Sequence, residues 1–526
     1  MNKIFNKARV LGLLLISMTM SCEKGLLDKN PTSELNAGTF YNSKNSIDMA
    51  LAACYATLQN GLAIFTFNMP AYDCLADDGY SVDDYFGCTT LSQGPIVPTS
   101  GGYVNTVYPT MYANIATYNI FLQTLSAYNL PDLDAATKAT YEAEVRLLRA
   151  MAYFHLYKFY GSVPLVTTPL TIKTQYQPKV DATAVLAQIN TDIDFAIAGL
   201  PDKAYADNTG HLVKSAAEVL KARVLLFDGY SADGTAITDV MAQAEKITSD
   251  IISKNYYRIA PSFRGLFCED LGFQNGNPEF IFSVNYLAAT DFPSPGNNSG
   301  VAANYLPQTG SEIWPLSNLA NEFEFKDGTP FSVSNPLYDA SDVYKNRDPR
   351  MAKTMFTGTV TFENGFTSNE FTQTTTGYNF YKDIEGTDAQ NIYNNLNGSD
   401  WPAMRYAEVL LMYAEAANEV DGPSAAVYDA IDQIRNRADI LMPPLAPGLS
   451  QSQMRTAIRH ERRVELAFEG FRYDDLKRWK IAPQALTLPA SESIRSKSFM
   501  DKNYHLPLPQ SEIDINQGVL VQNPDY

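Results

Sequence analysis

Residues suited to catalysis are scattered through this chain rather than grouped. The four histidines never lie within five residues of one another; they are His155, His211, His460 and His505. The motifs HExxH, CxxC, GxSxG and GxGxxG and the P-loop are absent from the sequence. Glycoside hydrolysis needs only two carboxylates, but 58 acidic residues supply pairs without singling one out. We therefore predict a protein that is not an enzyme.

The densest group of hard oxygen ligands is a run of five aspartates in a tyrosine-containing segment: Asp73, Asp77, Asp78, Asp83 and Asp84. Carboxylate oxygens are the ligands that Ca²⁺ prefers, but their order here does not fit the EF-hand loop. We predict a solvated acidic loop and no cofactor, with a calcium site as the alternative.

Four cysteines follow the N-terminal segment: Cys54, Cys74, Cys88 and Cys268. In an oxidising compartment three pairings of them are formally possible, and none has the spacing of a metal site. We predict that they are small buried apolar residues.

The composition is that of an ordinary globular protein with room for a large core. Of 526 residues, 45% are hydrophobic and 19% are charged, which excludes a disordered or collagen-like chain. The formal net charge is −18, so a polyphosphate would meet net repulsion. Nucleic acid is not an expected partner.

The N-terminus indicates export and membrane attachment. Residues 1–21 are typical of a signal peptide, with a basic start and an apolar run at 10–20 that is too short to span a bilayer. The segment Ser21-Cys22-Glu23 is similar to a bacterial lipobox, although Thr19 stands where such motifs usually have Leu. We predict that Cys22 is acylated, with ordinary secretion as the alternative. No later stretch has 18 uninterrupted apolar residues, so attachment would rest on lipid alone.

The elements that must position any site are helical hairpins. Residues 141–159 carry two apolar stripes at helical spacing, and Gly161 and Pro164 end the helix. A return helix is predicted at 181–200, capped by Asp181, with apolar residues at fourfold spacing.

The tripeptide Ala-Glu-Val recurs at 143–145, 217–219 and 407–409, each time predicted to open an Ala-rich helix. Return helices are predicted at 240–254 and 424–438 after the second and third copies. Such stacked pairs are similar to tetratricopeptide units. The starts are 74 and 190 residues apart rather than 34, so long insertions must separate the units.

The largest insertion has a different composition. Residues 261–400 contain 17 Asn, whereas residues 132–260 contain 3, and this density predicts loops and short strands. We predict a mainly α fold with a helical scaffold at about 130–260 and 401–481. A loop-rich, ligand-binding face is predicted at about 60–110 and 261–400.

The far end of the chain carries the most specific strings. They are IRHERRVELAFEGFRYDDLKRWKIA from Ile458 and the closing YHLPLPQSEIDINQGVLVQNPDY. Both resemble hallmarks of the SusD/RagB family of outer-membrane nutrient-binding lipoproteins. Further blocks agree in the family's order: CEKGLLDKNP, LLRAMAYFHLYKFYGSVPLV, NPEFIFSV, RDPRM and MRYAEVLLMYAEAANE. The resemblance implies a SusD-like fold over residues 22–526.

The block around ERRVELAFEGFR is predicted to be a fold signature rather than a ligand site. Arg462 and Glu465, three residues apart, are expected to pair on one helix face. The remaining residues of this corner are predicted to pack: Val464, Leu466, Phe468, Arg472 and Trp479.

The resemblance also implies a function. Such a protein is displayed at the cell surface, caps a SusC-like TonB-dependent transporter and delivers an oligosaccharide to it without making or breaking a bond. The helix pairs would contact the transporter and a loop face would hold glycan. Glu23, just after Cys22, is similar to the acidic surface-export signals of these lipoproteins.

Sugar rings have apolar CH faces and hydroxyl edges, so a flat aromatic beside polar groups satisfies both. The leading candidate platform is Trp314 in GSEIWPL. Further candidates lie on loops, with the last two as polar partners: Tyr286, Tyr305, Tyr80, Tyr85, Tyr103, Asp78 and Asn105. Each also suits a packing role, and Trp401 is predicted to be core.

Two alternatives remain open at this stage. RagB-type relatives are associated with peptide uptake, so the ligand could be a peptide or another nutrient. The helix pairs could also form a purely structural lid with little intrinsic ligand affinity.

Overall fold

The structure is a computed structural model of the chain. It describes residues 41–59, 69–81, 87–208, 210–268, 271–272, 274, 276–287, 313–362, 365, 367–368, 376–386, 398–489, 494 and 496–526. The predictions for Cys22, Tyr85, Tyr305, Asp83 and Asp84 lie outside the described residues.

Helices dominate the described part of the chain. In chain order they are α1 Lys44–Ala56, α2 Met69–Tyr72, α3 Cys88–Gln93, α4 Tyr103–Ala127, α5 Ala135–Tyr160, α6 Ala182–Gly199, α7 Lys214–Phe227, α8 Thr238–Ser253, α9 Ser317–Ala320, α10 Arg350–Thr354, α11 Tyr406–Asp421, α12 Ala425–Arg435, α13 Gln451–Glu465, α14 Arg472–Arg478, α15 Ala482–Ala485 and α16 Gln510–Ile515. Single 3₁₀ turns occur at Thr57–Gln59, Asp73–Leu75, Tyr205–Asp207, Arg264–Leu266 and Asp501–Tyr504.

The strands are short and form antiparallel pairs. They are β1 Gly79–Tyr80, β2 Phe280–Val284, β3 Trp314–Pro315, β4 Met355–Phe356, β5 Val360–Thr361, β6 Thr367–Ser368, β7 Asn379–Phe380 and β8 Trp401–Arg405. β1 pairs with β3, β2 with β8, β4 with β7 and β5 with β6. The mainly α fold with a strand-bearing insertion is therefore confirmed.

The scaffold is a row of helix hairpins. α5 packs against α6, α7 against α8, and α11 against α12. α6 also packs on α7, and α8 packs on α11 although more than 150 residues of chain separate them. The long insertion therefore leaves the stack between α8 and α11 and returns to it, as the unequal Ala-Glu-Val spacing predicts.

Helix ends differ from the predicted ones for identifiable reasons. α5 begins before residue 141 because Asp134 caps it, accepting from the backbone N–H groups of Ala136 (3.0 Å) and Thr137 (2.9 Å). The first Ala-Glu-Val copy therefore lies two turns inside α5 rather than at its start. Gly161, with φ of 68°, ends α5 as predicted. Asp181 precedes α6, but its side chain makes no capping hydrogen bond.

The four cysteines of the described residues are buried, as predicted. Cys54 belongs to the main hydrophobic core, and burial raises the pKa of its thiol to about 12. Trp401 is 6% exposed and packs against Phe267, so its prediction as a core residue is also confirmed. Over the described residues, no helix combines the length and the apolar character needed to cross a membrane.

The predicted pairing of Arg462 with Glu465 is wrong, because the two side chains face different partners. Arg462 donates to Asp475 on α14 (2.8 Å). Glu465 is fully buried and accepts from three arginines of other elements: Arg405 (2.8 Å), Arg437 (2.7 Å) and Arg350 (3.0 Å).

Burial alone would raise the pKa of Glu465, but the three guanidinium charges hold it well below its ordinary value. The predicted packing of this corner is confirmed by burial of Val464, Leu466, Phe468 and Trp479. The block therefore ties α13 to α10, to the end of β8 and to the segment after α12.

Candidate ligand-binding site

Two of the predicted aromatic residues meet in the β1–β3 pair. Tyr80 on β1 lies opposite Trp314 on β3, and their ring centroids are 6.0 Å apart at an interplanar angle of 42°. Tyr80 is only 5% exposed, whereas Trp314 is partly exposed. Tyr80 therefore supports the indole from within, and Trp314 is the ring of the pair that keeps surface available to a ligand.

The Trp314 indole is only partly open to a ligand. Its Nε1 atom is buried and has no hydrogen-bond partner among the described residues. Because this nitrogen is buried, a ligand can contact only the part of the indole that remains exposed.

The backbone around β1 is fixed by ion pairs from α13. The carbonyl of Asp78 accepts from the N–H of Leu316 (2.9 Å), which extends the β1–β3 ladder. Arg463 donates to the carboxylates of Asp78 (2.5 and 2.8 Å) and Asp77 (3.1 Å), and also to Glu322 (2.6 Å). One guanidinium thus links the turn before β1 to the segment after β3.

Arg472 completes this cluster from α14. Its Nε and Nη2 atoms donate to Asp77 at 2.9 and 3.0 Å. Burial alone would raise the pKa of the Asp77 carboxyl, but Arg463 and Arg472 hold it below its ordinary value. For Asp78, burial and the Asp77 charge prevail over the arginines, and its pKa is raised.

The prediction of a solvated acidic loop is therefore wrong for the three aspartates that the structure describes. Asp73, Asp77 and Asp78 are 1%, 6% and 1% exposed. Asp73 accepts from the backbone N–H groups of Gly470 (3.2 Å) and Arg472 (3.1 Å). The acidic run can be buried because residues 463–472, almost 400 positions later in the chain, contact it. Their arginine side chains supply positive charge, and their backbone N–H groups donate hydrogen bonds. Among the described residues, no cluster of three metal-binding side chains is present.

A buried lysine closes the same turn from the C-terminal segment. Lys497 Nζ donates to the carbonyls of Cys74 (2.8 Å), Ala76 (2.6 Å) and Gly79 (2.6 Å). Burial lowers the pKa of Lys497 to about 8. The sequence analysis did not predict the contacts of Lys497 or Arg463 with this turn. The one indication in the sequence was the arginine-rich block itself, whose charges needed acidic partners.

The other described candidates lie elsewhere. Tyr103 begins α4 and is buried between the rings of Tyr72 (5.6 Å) and Phe159 (6.1 Å), so its contacts are those of a packing residue. Asn105, in the first turn of α4, is exposed. Tyr286 is partly buried just after β2, and its N–H donates to Asp400 (2.8 Å).

Tyr286 therefore belongs to the region of the β2–β8 pair rather than to the β1–β3 pair that carries Trp314. Its hydroxyl is buried without a partner among the described residues, and burial raises its pKa. The structure thus brings together Tyr80, Asp78 and Trp314, and it places Tyr286 at a different pair of strands.

Comparison with known proteins agrees with this architecture over nearly the whole chain. The family model described as SusD family matches residues 278–526. A second model, described as starch-binding associating with outer membrane, matches residues 26–226. The chain belongs to the SusD family.

Three similar proteins illustrate the relationship. A SusD-like protein of Formosa agariphila is 24% identical over 544 residues, which cover 99% of this chain and 100% of the relative. The crystal structure of a SusD-like carbohydrate binding protein from Bacteroides fragilis is 26% identical, covers 92% of this chain and 99% of its own, and has a TM-score of 0.79. Surface glycan-binding protein A from Bacteroides thetaiotaomicron, solved in complex with laminarihexaose, is 22% identical, covers 91% and 99% of the two chains, and has a TM-score of 0.66.

Proposed function

We propose that this protein is a non-catalytic glycan-binding lipoprotein of the outer membrane. It captures oligosaccharide at the cell surface and delivers it intact to a SusC-like TonB-dependent transporter. The single observation that carries the binding function is Trp314, a partly exposed indole backed by Tyr80 and held on a strand whose neighbouring turn is fixed by buried ion pairs.

Several features support glycan as the ligand class. A flat, partly exposed ring complements the apolar CH face of a pyranose. The relatives include a SusD-like carbohydrate binding protein and a glycan-binding protein solved with laminarihexaose. Asn105, Tyr85, Tyr286 and Tyr305 remain predicted contributors, whereas the contacts of Tyr103 and Asp78 suit them to support.

Membrane attachment and transfer form the second half of the proposal. Acylation of Cys22 would hold the protein at the membrane at about 0.8 kcal/mol per buried CH₂ group of the acyl chains. The description of the family model that matches residues 26–226 supports association with the outer membrane. The row of helix hairpins offers a rigid surface for the transporter, while the strands of the insertion carry Trp314.

The decisive test is Trp314→Ala in the purified mature protein. Calorimetric titration with laminarihexaose, maltohexaose, cellohexaose and xylohexaose should give micromolar to millimolar dissociation constants for at least one glycan, about −8 to −4 kcal/mol. The Trp314→Ala variant should bind that glycan at least tenfold more weakly, a loss of about 1.4 kcal/mol or more.

The matched control is Phe195→Ala, which removes an aromatic ring that is 37% exposed on α6 of the scaffold. This variant should bind glycan as the parent protein does. Equal affinity of the Trp314→Ala variant would contradict the platform, and tight binding of peptide pools without glycan affinity would replace the ligand class. Release of new reducing ends during incubation would contradict the non-catalytic role.

A further inference from the structure

A second concave site lies between α1 and the end of β2, apart from the β1–β3 pair. It is a groove of about 480 Å³ with a floor that includes Leu51 and Phe282, both 2% exposed or less. Polar side chains on its walls include Gln59, His211 and Asn285. An apolar floor with a few convergent polar groups, at a volume between about 300 and 1,000 Å³, is typical of small-molecule sites.

One wall of the groove is a fixed hydrogen-bond network. The buried carboxylate of Glu144 accepts from the Tyr55 hydroxyl (2.5 Å) and meets His211 Nδ1 at 2.9 Å. The same Tyr55 oxygen accepts from the backbone N–H of Leu212 (2.9 Å). Because Nδ1 donates to Glu144, the His211 ring is held in place and its other nitrogen, Nε2, is left for a ligand. The His211 side chain is 47% exposed.

The opposite wall is set by Asn285 and Gln59. Asn285 is exposed, and its Oδ1 accepts from Ser283 Oγ (2.6 Å), which orients its amide nitrogen. Gln59 Nε2 donates to the Asn285 carbonyl (2.5 Å) and so joins the end of the first helical segment to the loop after β2. A carbonyl, an amide and an imidazole nitrogen thus border one apolar floor.

The charges of the groove are already paired. Asp48 accepts from Lys44 (2.6 Å) and from the Tyr141 hydroxyl (2.7 Å), and Glu144 is held by Tyr55 and His211. Among the described residues that line the groove, an ionic ligand would therefore find no unpaired opposite charge, whereas hydroxyl groups suit both an imidazole nitrogen and an amide.

We propose that this groove is a second saccharide-binding subsite that takes one or two rings of a neutral sugar. The choice of sugar as ligand rests on the proposed glycan-binding function, but none of the described residues that line the groove belongs to the β1–β3 pair. Two separate subsites on one chain would raise the avidity for a long glycan.

The test blocks the groove without touching its hydrogen-bond network. Ala52 is exposed on α1 and lines the groove, so Ala52→Trp should fill it. Ala53, the next residue, is also exposed but faces a different depression, so Ala53→Trp is the matched control. The four oligosaccharides of the Trp314 titration serve as probes.

The readout is the NMR signal of the His211 ring, assigned by its loss in His211→Gln. At least one probe should shift this signal saturably in the parent, in Ala53→Trp and in Trp314→Ala. In Ala52→Trp the apparent affinity from this signal should fall at least tenfold. Asn285→Ala, at an exposed position, should weaken it in the same direction.

Two results would overturn the subsite. One is an unchanged His211 signal in the parent with all four probes while calorimetry still detects binding at Trp314, which would leave the proposed function intact. The other is equal response of the Ala52→Trp and Ala53→Trp proteins. Absence of glycan binding by both methods would instead refute the proposed function itself.

Discussion

Arg463→Met should reveal how strongly the turn before β1 depends on α13. The Arg463 side chain is 9% exposed and is the main counter-charge of Asp78, which is 1% exposed. Without it, the nearest contact of Asp78 with a cation among the described residues is Arg472 Nε, 3.8 Å from Asp78 Oδ2. Asp77 would keep both of its hydrogen bonds from Arg472.

The cost follows from leaving one buried carboxylate without its partner. Breaking a buried ion pair on one side typically lowers the free energy of unfolding by about 3–5 kcal/mol. The raised pKa of Asp78 should rise further in the variant, so protonation offers partial relief. The loss in free energy of unfolding, relative to the parent, should therefore be smaller at pH 5 than at pH 8. It should decrease by up to about 1.4 kcal/mol for each pH unit below the new pKa of Asp78.

Urea unfolding followed by circular dichroism would measure this loss. Adding Asp78→Asn to Arg463→Met should recover most of it, because the amide carries no charge to bury. Lys246→Met is the control, since it removes an exposed ion pair with Asp250 that contributes less than about 1 kcal/mol. A loss below about 1 kcal/mol in Arg463→Met, or a double variant no more stable than the single one, would refute this reasoning.

Two further predictions concern pH. The hydrogen bond to Glu144 raises the pKa of His211 in the folded protein. The charged His211 side chain therefore stabilises the fold fully below pH 6.5, and this stabilisation is lost as the pH rises through the raised pKa. The melting temperature of His211→Gln should therefore fall below that of the parent by more at pH 5.5 than at pH 8.5, and an equal difference at both would contradict the pairing. Burial alone would raise the pKa of Glu415, but Arg478 lowers it to about 2, so a stabilisation of about 3 kcal/mol should disappear as the pH falls from 4.5 towards 2. In the Glu415→Gln variant, the free energy of unfolding measured with denaturant should change less with pH over that range. A pH dependence equal to that of the parent would exclude Glu415 as the source of the stabilisation.

Local patterns predicted the scaffold well. Apolar residues at helical spacing predicted α5 to α8, α11 and α12, because that periodicity depends only on which face of a helix is buried. The Asn-rich composition of residues 261–400 predicted the loops and short strands of the insertion. Helix ends were less accurate, since the start of α5 was decided by a single capping side chain, Asp134.

The candidate site was predicted in part. The aromatic residues could be named because their chemistry suits a sugar, but pairing of Tyr80 with Trp314 joins positions 234 residues apart in the chain. The groove beside His211 had no local signal, because its walls come from α1, β2 and the segment before α7.

By itself, the sequence determined the helical hairpins, the composition of the insertion and the family resemblance, all of which depend on short-range patterns. Only the tertiary structure decided the electrostatic pairing. Asp77 and Asp78 look like a solvated acidic run until Arg463 and Arg472 are placed against them, and Arg462 binds Asp475 rather than its near neighbour Glu465. The physical reason is that the free energy of a charge depends on its burial and on its partners. Both are set by how distant elements pack together.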